Sequence, residues 1–162
     1  GHEADASTPS ARARQQGYEY CIVSENIAYE YDSEGFTTPA LARLFLEGWK
    51  RSPEHRRNML DRGVTETAVA VARSERNGYY YAVQMFGRPK SQSLRFQIRN
   101  ASRAATRYLI GEQGYWLGPG VTAAHSQCRE VSLVYEGAEF PAHDGDRFVV
   151  KKEGGRLQLK RE

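Results

Sequence analysis

The feature that most constrains this chain is a change of hydrophobic period near "FGRPKSQS", Phe86 to Ser93. Upstream, apolar residues recur at helical spacing and end in a hairpin pattern. Downstream, almost every apolar residue alternates with a polar one. A helical period and a strand period do not share one continuous fold pattern. The 162 residues therefore read as two units, residues 1–88 and 94–162, joined by a linker at 89–93 that holds Pro89 and small polar residues.

In the first unit, Thr8-Pro9, "SARARQQ" and Gly17 predict a short helix, with Thr8 as cap, Pro9 at the first helical position and Gly17 as a left-handed stop. A second helix is predicted from Thr38-Pro39, with Leu41, Leu44, Phe45, Gly48 and Trp49 on one apolar face. Ser52-Pro53 breaks it and opens a third helix that places His55 at position N3 and ends at Gly63. Asn77-Gly78, between "TAVAVARS" and "YYYAVQMFG", predicts a hairpin with a two-residue type I′ turn. The unit is expected to be α+β, its helices packed on an antiparallel sheet.

The second unit opens with "LRFQIRN", and further strands read as "TRYLI", "YWLG", "REVSLVYE", "RFVVKK" and "RLQLK", separated by glycine-rich turns. Short strands at this spacing predict a small all-β domain, a sandwich or barrel. No catalytic constellation is visible there, and His125 and His143 read as surface residues.

Composition excludes several classes. No apolar run approaches the roughly 20 residues that span a bilayer. The net charge of +3, from 23 basic and 20 acidic residues, is mixed along the chain and argues against nucleic-acid binding. Arg56, Arg57 and Arg62 are interrupted by Glu54 and Asp61 and read as a solvated helix face. The two cysteines, Cys21 and Cys128, form no Cys-x-x-Cys pair, which leaves a disulfide or two buried thiols open.

Four segments in order, Gly17-Tyr18, "SENIAY" (Ser24–Tyr29), "GWKRSPEHRRNML" (Gly48–Leu60) and "YYYAVQMFG" (Tyr79–Gly87), resemble the signature of bacterial SCP-like domains of the CAP superfamily (cysteine-rich secretory proteins, antigen 5 and pathogenesis-related proteins). The resemblance covers about residues 1–87 and leaves the β-domain uncovered. It implies a CAP-type α-β-α sandwich, export to an extracellular or periplasmic location, and a polar cleft. Carried over by motif, Glu25 matches the acidic position of the family's Glu-Asn-Ile/Leu segment and His55 the histidine after its Ser-Pro. His2 resembles the first histidine of the cleft, with the family's first helix expected upstream of it and lacking here. Asn26 and Glu54 would stand behind these groups; Glu54 replaces the glycine usual in the bacterial motif, and Ser52 stands where longer relatives carry a second acid.

His2, His55 and Glu25 would supply two imidazoles and a carboxylate, a set able to hold zinc or another divalent cation with a position left for water. His55 at N3 favours this, since the positive helix end opposes protonation and only neutral imidazole ligates. The resemblance thus points to a ligand-binding module for a small-molecule, lipid or cell-surface partner. The alternative is a metal-dependent or histidine-assisted hydrolase, with Ser24 as a conceivable nucleophile. No His-Glu-x-x-His helix and no Gly-x-Ser-x-Gly elbow is present to support it.

Overall fold

In the computed structural model, residues 7–162 are described. The chain divides into two compact units, Gly1–Ser91 and Gln92–Glu162. Among the described residues there are three α-helices and eleven β-strands, a mixed α and β composition.

The first unit begins with α1 (Pro9–Gln15). Thr8 Oγ accepts from the Ala11 amide at 3.2 Å. The helix closes with the Gly17 amide donating to Arg14 O and the Tyr18 amide to Ala13 O, with Gly17 at φ +74°. That pair of bonds is a Schellman stop, which needs the left-handed residue glycine supplies. Strand β1 (Tyr20–Glu30) follows, then α2 (Thr38–Arg51) and α3 (Pro53–Met59), then β2 (Glu66–Arg73) and β3 (Tyr80–Pro89). The sheet order is β1-β3-β2, antiparallel throughout.

Helix α2 starts one residue earlier than its sequence suggests: Thr37 is the cap, so Pro39 sits at the second helical position. Its buried seam is Leu41, Phe45 and Trp49, spaced by four, packed with Ala82 and against Ala28, Met59 and Tyr80. Leu44, expected on the same face, is exposed, because one residue from Phe45 turns the side chain about 100° away. The hairpin also differs from expectation. Ser74 donates to Tyr79 O and Gly78 to Ser74 O, which makes a longer loop in which Gly78 alone, at φ +72°, is left-handed. Asn77 instead uses its side chain, Oδ1 accepting from the Tyr79 amide at 3.1 Å, so it acts as a local turn former rather than a type I′ residue. Residues 90–92 form a 3₁₀ turn where an irregular linker was expected.

The second unit is all β: β4 (Leu94–Asn100), β5 (Thr106–Ile110), β6 (Gln113–Leu117), β7 (Thr122–Gln127), β8 (Val131–Tyr135), β9 (Ala138–Ala142), β10 (Arg147–Glu153) and β11 (Arg156–Arg161). They form two four-stranded sheets, β11-β10-β4-β7 and β6-β5-β8-β9. Phe96, Ile98, Phe148, Val150 and Leu159 of the first share one core with Tyr108, Ile110, Leu117, Leu133 and Tyr135 of the second. Strands β7 and β9 escape the sequence reading because "TAAHSQ" and "AEFPA" carry few large apolar residues. Pro141 is tolerated because β9 is an edge strand.

His125 is not the surface residue its sequence suggests. Its register partner is the buried Phe96, and Nε2 lies 2.7 Å from the Tyr108 hydroxyl; burial lowers its pKa.

Asn100 is a polar staple in this unit. Fully buried, it donates to Ala104 O at 2.8 Å and Leu117 O at 3.0 Å, and accepts from the Ser102 amide and hydroxyl. Asn100→Ala leaves two carbonyls and an amide without that partner and should cost about 2–3 kcal/mol. Urea denaturation of the chain and its variant checks this, and a loss below about 0.5 kcal/mol would show that water replaces the amide.

Candidate functional site

The site is built around two consecutive strand residues, Glu25 and Asn26. Successive strand side chains point to opposite faces, so β1 sends these two groups in opposite directions. Register agrees: Glu25 stands opposite Met85 and Asn26 opposite Gln84 on β3. Both are buried, Glu25 at 5% exposure and Asn26 at 0%.

A buried carboxylate must be paired or hydrogen-bonded. Arg12, from α1, supplies this: Nη2 donates to Glu25 Oε2 at 2.7 Å, while Nη1 donates to Ser7 O at 2.8 Å. The arginine side chain keeps 31% of its surface exposed, against 1% for the glutamate. Water thus reaches one partner only.

Asn26 fastens the opposite face. Its Nδ2 donates to His55 O at 3.0 Å and to Gln84 Oε1 at 3.5 Å, and its Oδ1 accepts from Asn58 Nδ2 at 3.0 Å. Asn58 also donates to Glu25 O at 3.2 Å. Helix α3 has seven residues and no buried one, too few to hold itself by helix propensity. The amide network attaches it to β1. Ser52 is its N-cap residue but makes no side-chain cap bond.

The sequence-derived residues separate accordingly. Glu25 and Asn26 lie together on β1, and the backbone of His55 is brought to them by Asn26. The His55 ring is half-buried and, among the described residues, has no hydrogen-bond partner. Glu54 is exposed at N2, where its charge complements the helix N-terminus. His2 lies outside the described residues. Among the described residues, no group of three or more His, Cys, Asp or Glu side chains could hold a metal. The described residues also fit a divalent cation poorly at Glu25, since the Arg12 guanidinium already sits on Oε2. Ser24 Oγ is buried without a hydrogen-bond partner among the described residues, so no base is in place to activate it.

A concavity of about 600 Å³ opens on the Glu25 side of the sheet. Ala13, Val23, Ala68, Met85 and Gly87 line its apolar wall, and Gln16, Tyr18, Glu66 and Thr67 its polar part. Tyr18 donates its hydroxyl to Glu66 Oε2 at 2.7 Å. Burial and the Glu66 carboxylate push the Tyr18 pKa up to about 12, so the phenol stays protonated across physiological pH. Gly87 is required by close approach: a Cβ there would meet the Tyr18 oxygen at 2.3 Å and ring carbons at 2.9 and 3.0 Å.

Arg12, Asn58 and the Tyr18–Gly87 contact were not singled out from sequence. A signal for Arg12 was the acid within the apolar run "SENIAY", which once buried needs a cation or hydrogen-bond donors from a neighbouring element. Asn58 lies three residues after His55, on the same helix face.

A mixed α and β unit whose edge strand bears a buried acid-amide pair, with an adjoining groove, defines a scaffold with a ligand-sized cavity. The family described as the cysteine-rich secretory protein family (CAP) matches residues 1–86, more than half of the 162 residues, and the chain belongs to it. No curated protein and no solved structure matches the chain.

Two expectations follow. Arg12→Met removes the guanidinium from a buried carboxylate and should cost more than the roughly 1 kcal/mol of an exposed pair, up to the roughly 3–5 kcal/mol of a fully buried one. Adding Glu25→Gln should restore part of it; thermal melts of the four-member cycle measure the coupling, and additive losses would refute it. For Tyr18, a folded-state pKa near 12 against an ordinary 10 means its contribution is complete below pH 10 and lost as pH rises toward 12. Tyr18→Phe should therefore flatten the alkaline limb of the stability profile, leaving the share due to Tyr108, which burial also pushes up to about 12. An unchanged limb would show that Tyr18 titrates normally.

Proposed function

We propose that the chain is an exported CAP-domain binding protein whose first unit takes an amphipathic small molecule or acyl chain into the groove beside Glu25. The observation that carries this reading is the groove itself. At about 600 Å³ it lies within the range of small-molecule sites, with an apolar wall and a few fixed polar groups at one side. An apolar body would cover Val23, Ala68 and Met85, while a hydroxyl or amine would reach Glu66 or the Tyr18 oxygen. The Glu25–Arg12 pair holds α1, one wall of the groove, and the Asn26–Asn58 network holds α3 with His55; both set the frame rather than perform chemistry.

Export is supported by the family and by the cysteines. Neither Cys21 nor Cys128 is a free thiol, which fits an oxidising compartment outside the cytoplasm. No helix among the described residues is long and apolar enough to cross a membrane. Among the described residues the hydrolase reading lacks an assembled nucleophile and base, and zinc at Glu25 would have to share the carboxylate with Arg12.

The test uses the neutral solvatochromic dye Nile red. Binding with a blue shift is expected for the chain, weakened roughly tenfold by Ala68→Phe, which fills the groove at its apolar wall. Equal binding by both proteins would remove the groove as the site. Zinc titration by calorimetry, with His55→Ala beside the unaltered chain, is expected to show no stoichiometric binding. A site of one zinc per chain that vanishes in the variant would replace this reading with a metal-assisted cleft.

A further inference from the structure

The second unit carries a feature that its alternating sequence hides. Residues 92–162 hold eleven basic and eight acidic residues, while residues 1–91 hold twelve of each, so the whole formal charge of +3 resides in the β unit. Strand parity then sorts these charges. In the sheet β11-β10-β4-β7, Phe96, Ile98, Phe148 and Val150 enter the core. The residues alternating with them lie on the other face, where Val149 is covered between Arg99 and Lys160, Glu153 stands opposite Arg156, and Ala124 opposite Gln97. Its exposed polar and basic members are Arg95, Gln97 and Arg99 on β4, Arg147 and Lys151 on β10, Arg156, Gln158 and Lys160 on β11, and Thr122 and Ser126 on β7. All ten are exposed.

The acids around this face are largely committed. Glu153 pairs with Lys160 and Glu162 with Lys151. Asp146 accepts from the His143 amide and lies 3.3 Å from Arg161, and Asp144 accepts from the Arg95 amide. Among the described residues no ion pair neutralises Arg95, Arg99, Arg147 or Arg156. Register places Arg147 beside Gln97, one strand over from the midpoint between Arg95 and Arg99, which stand about 13 Å apart along β4. A depression of about 430 Å³ lies at this point, with Arg95, Gln97, Arg147, Ser126, His125 and Asp146 in its lining.

We propose that this outer sheet face binds an anionic glycan, a sugar polymer bearing carboxylate, sulfate or phosphate groups. Charge complementarity supplies the attraction, and three guanidinium groups spread over two strands match a repeating anion better than one small ion. The groups between the arginines choose the class. Gln97, Gln158, Thr122 and Ser126 offer amides and hydroxyls to sugar hydroxyls. Phe96 and His125 also border the depression, but Phe96 belongs to the core and His125 is bonded to Tyr108 of the opposite sheet. Among the described residues, no outward-facing side chain of this sheet is an aromatic ring on which a base could stack or a protruding large apolar group to enter a bilayer.

The test uses heparin as the probe and the full chain. Binding is expected at low salt, with affinity falling steadily as salt rises through release of counterions. Arg95→Ser/Arg99→Ser/Arg147→Ser should weaken it roughly tenfold or more and make the salt dependence shallower. Arg103→Ser/Arg107→Ser/Lys152→Ser, which removes the same charge elsewhere in this unit, should change it less than about threefold. All six positions are exposed, so circular dichroism should find both variants folded. Equal loss in both variants would reduce the effect to net charge and overturn the assignment, as would absence of heparin binding. Tighter binding to oligo-dT or to anionic phosphatidylglycerol vesicles than to heparin would assign the face to another class of partner, and equal binding of neutral dextran would show that charge is not read.

Discussion

The first unit depends on one constraint: two buried polar side chains, consecutive in sequence, must both be satisfied. Glu25 and Asn26 cannot share a partner, because a strand sends neighbours to opposite faces. Each therefore recruits a different helix. The carboxylate takes Arg12 of α1, and the amide takes the His55 carbonyl and Asn58 of α3. Both helices have seven residues and bury none of them, so hydrophobic packing alone gives them little hold. The polar dipeptide fixes where they sit. Helix α2 is the contrast, twice as long and held by its Leu41, Phe45 and Trp49 seam.

That arrangement bears on function. One oxygen of the carboxylate that positions α1 is already taken by a guanidinium. The groove next to it is shaped by the same elements: α1 contributes Ala13 and Gln16, and Met85, opposite Glu25 in register, contributes to its floor. Gly87 is the second condition. Its missing side chain lets the Tyr18 ring lie against β3 and hold Glu66. The final glycine of "YYYAVQMFG" thus has a steric reason within this unit.

The β unit solves a different problem. Two four-stranded sheets bury one large aromatic and aliphatic core, with Asn100 and Ser102 tying a turn into it. Alternation that fills the core on one side leaves the other side free to carry charge. The acids pair with Lys151, Lys160 and Arg161, and among the described residues no ion pair neutralises Arg95, Arg99 or Arg147 on the outer face.

Much was legible in the chain itself. Local chemistry fixes local structure, so Thr8, Pro9 and Gly17 determine α1 from cap to stop, and the alternation of "LRFQIRN" and "RFVVKK" determines strands with one buried face. Four ordered motifs carry the family. The sequence also marked Glu25 and Asn26 as residues to watch, because polar groups in an apolar run must find partners, and His55 through its place after Ser52-Pro53 in a family motif. It could not name those partners. Arg12 and Asn58 are 13 and 33 residues from the groups they bond, and such pairings are set by the packing of whole elements rather than by spacing. The same holds for "TAAHSQ" and "AEFPA", whose strands exist because neighbouring strands offer edges, and for the parallel pairing of β4 with β10. A one-dimensional pattern gives the period of each element and hence its faces; which face meets which neighbour, and so which charge is neutralised and which left to solvent, is decided only when the elements come together.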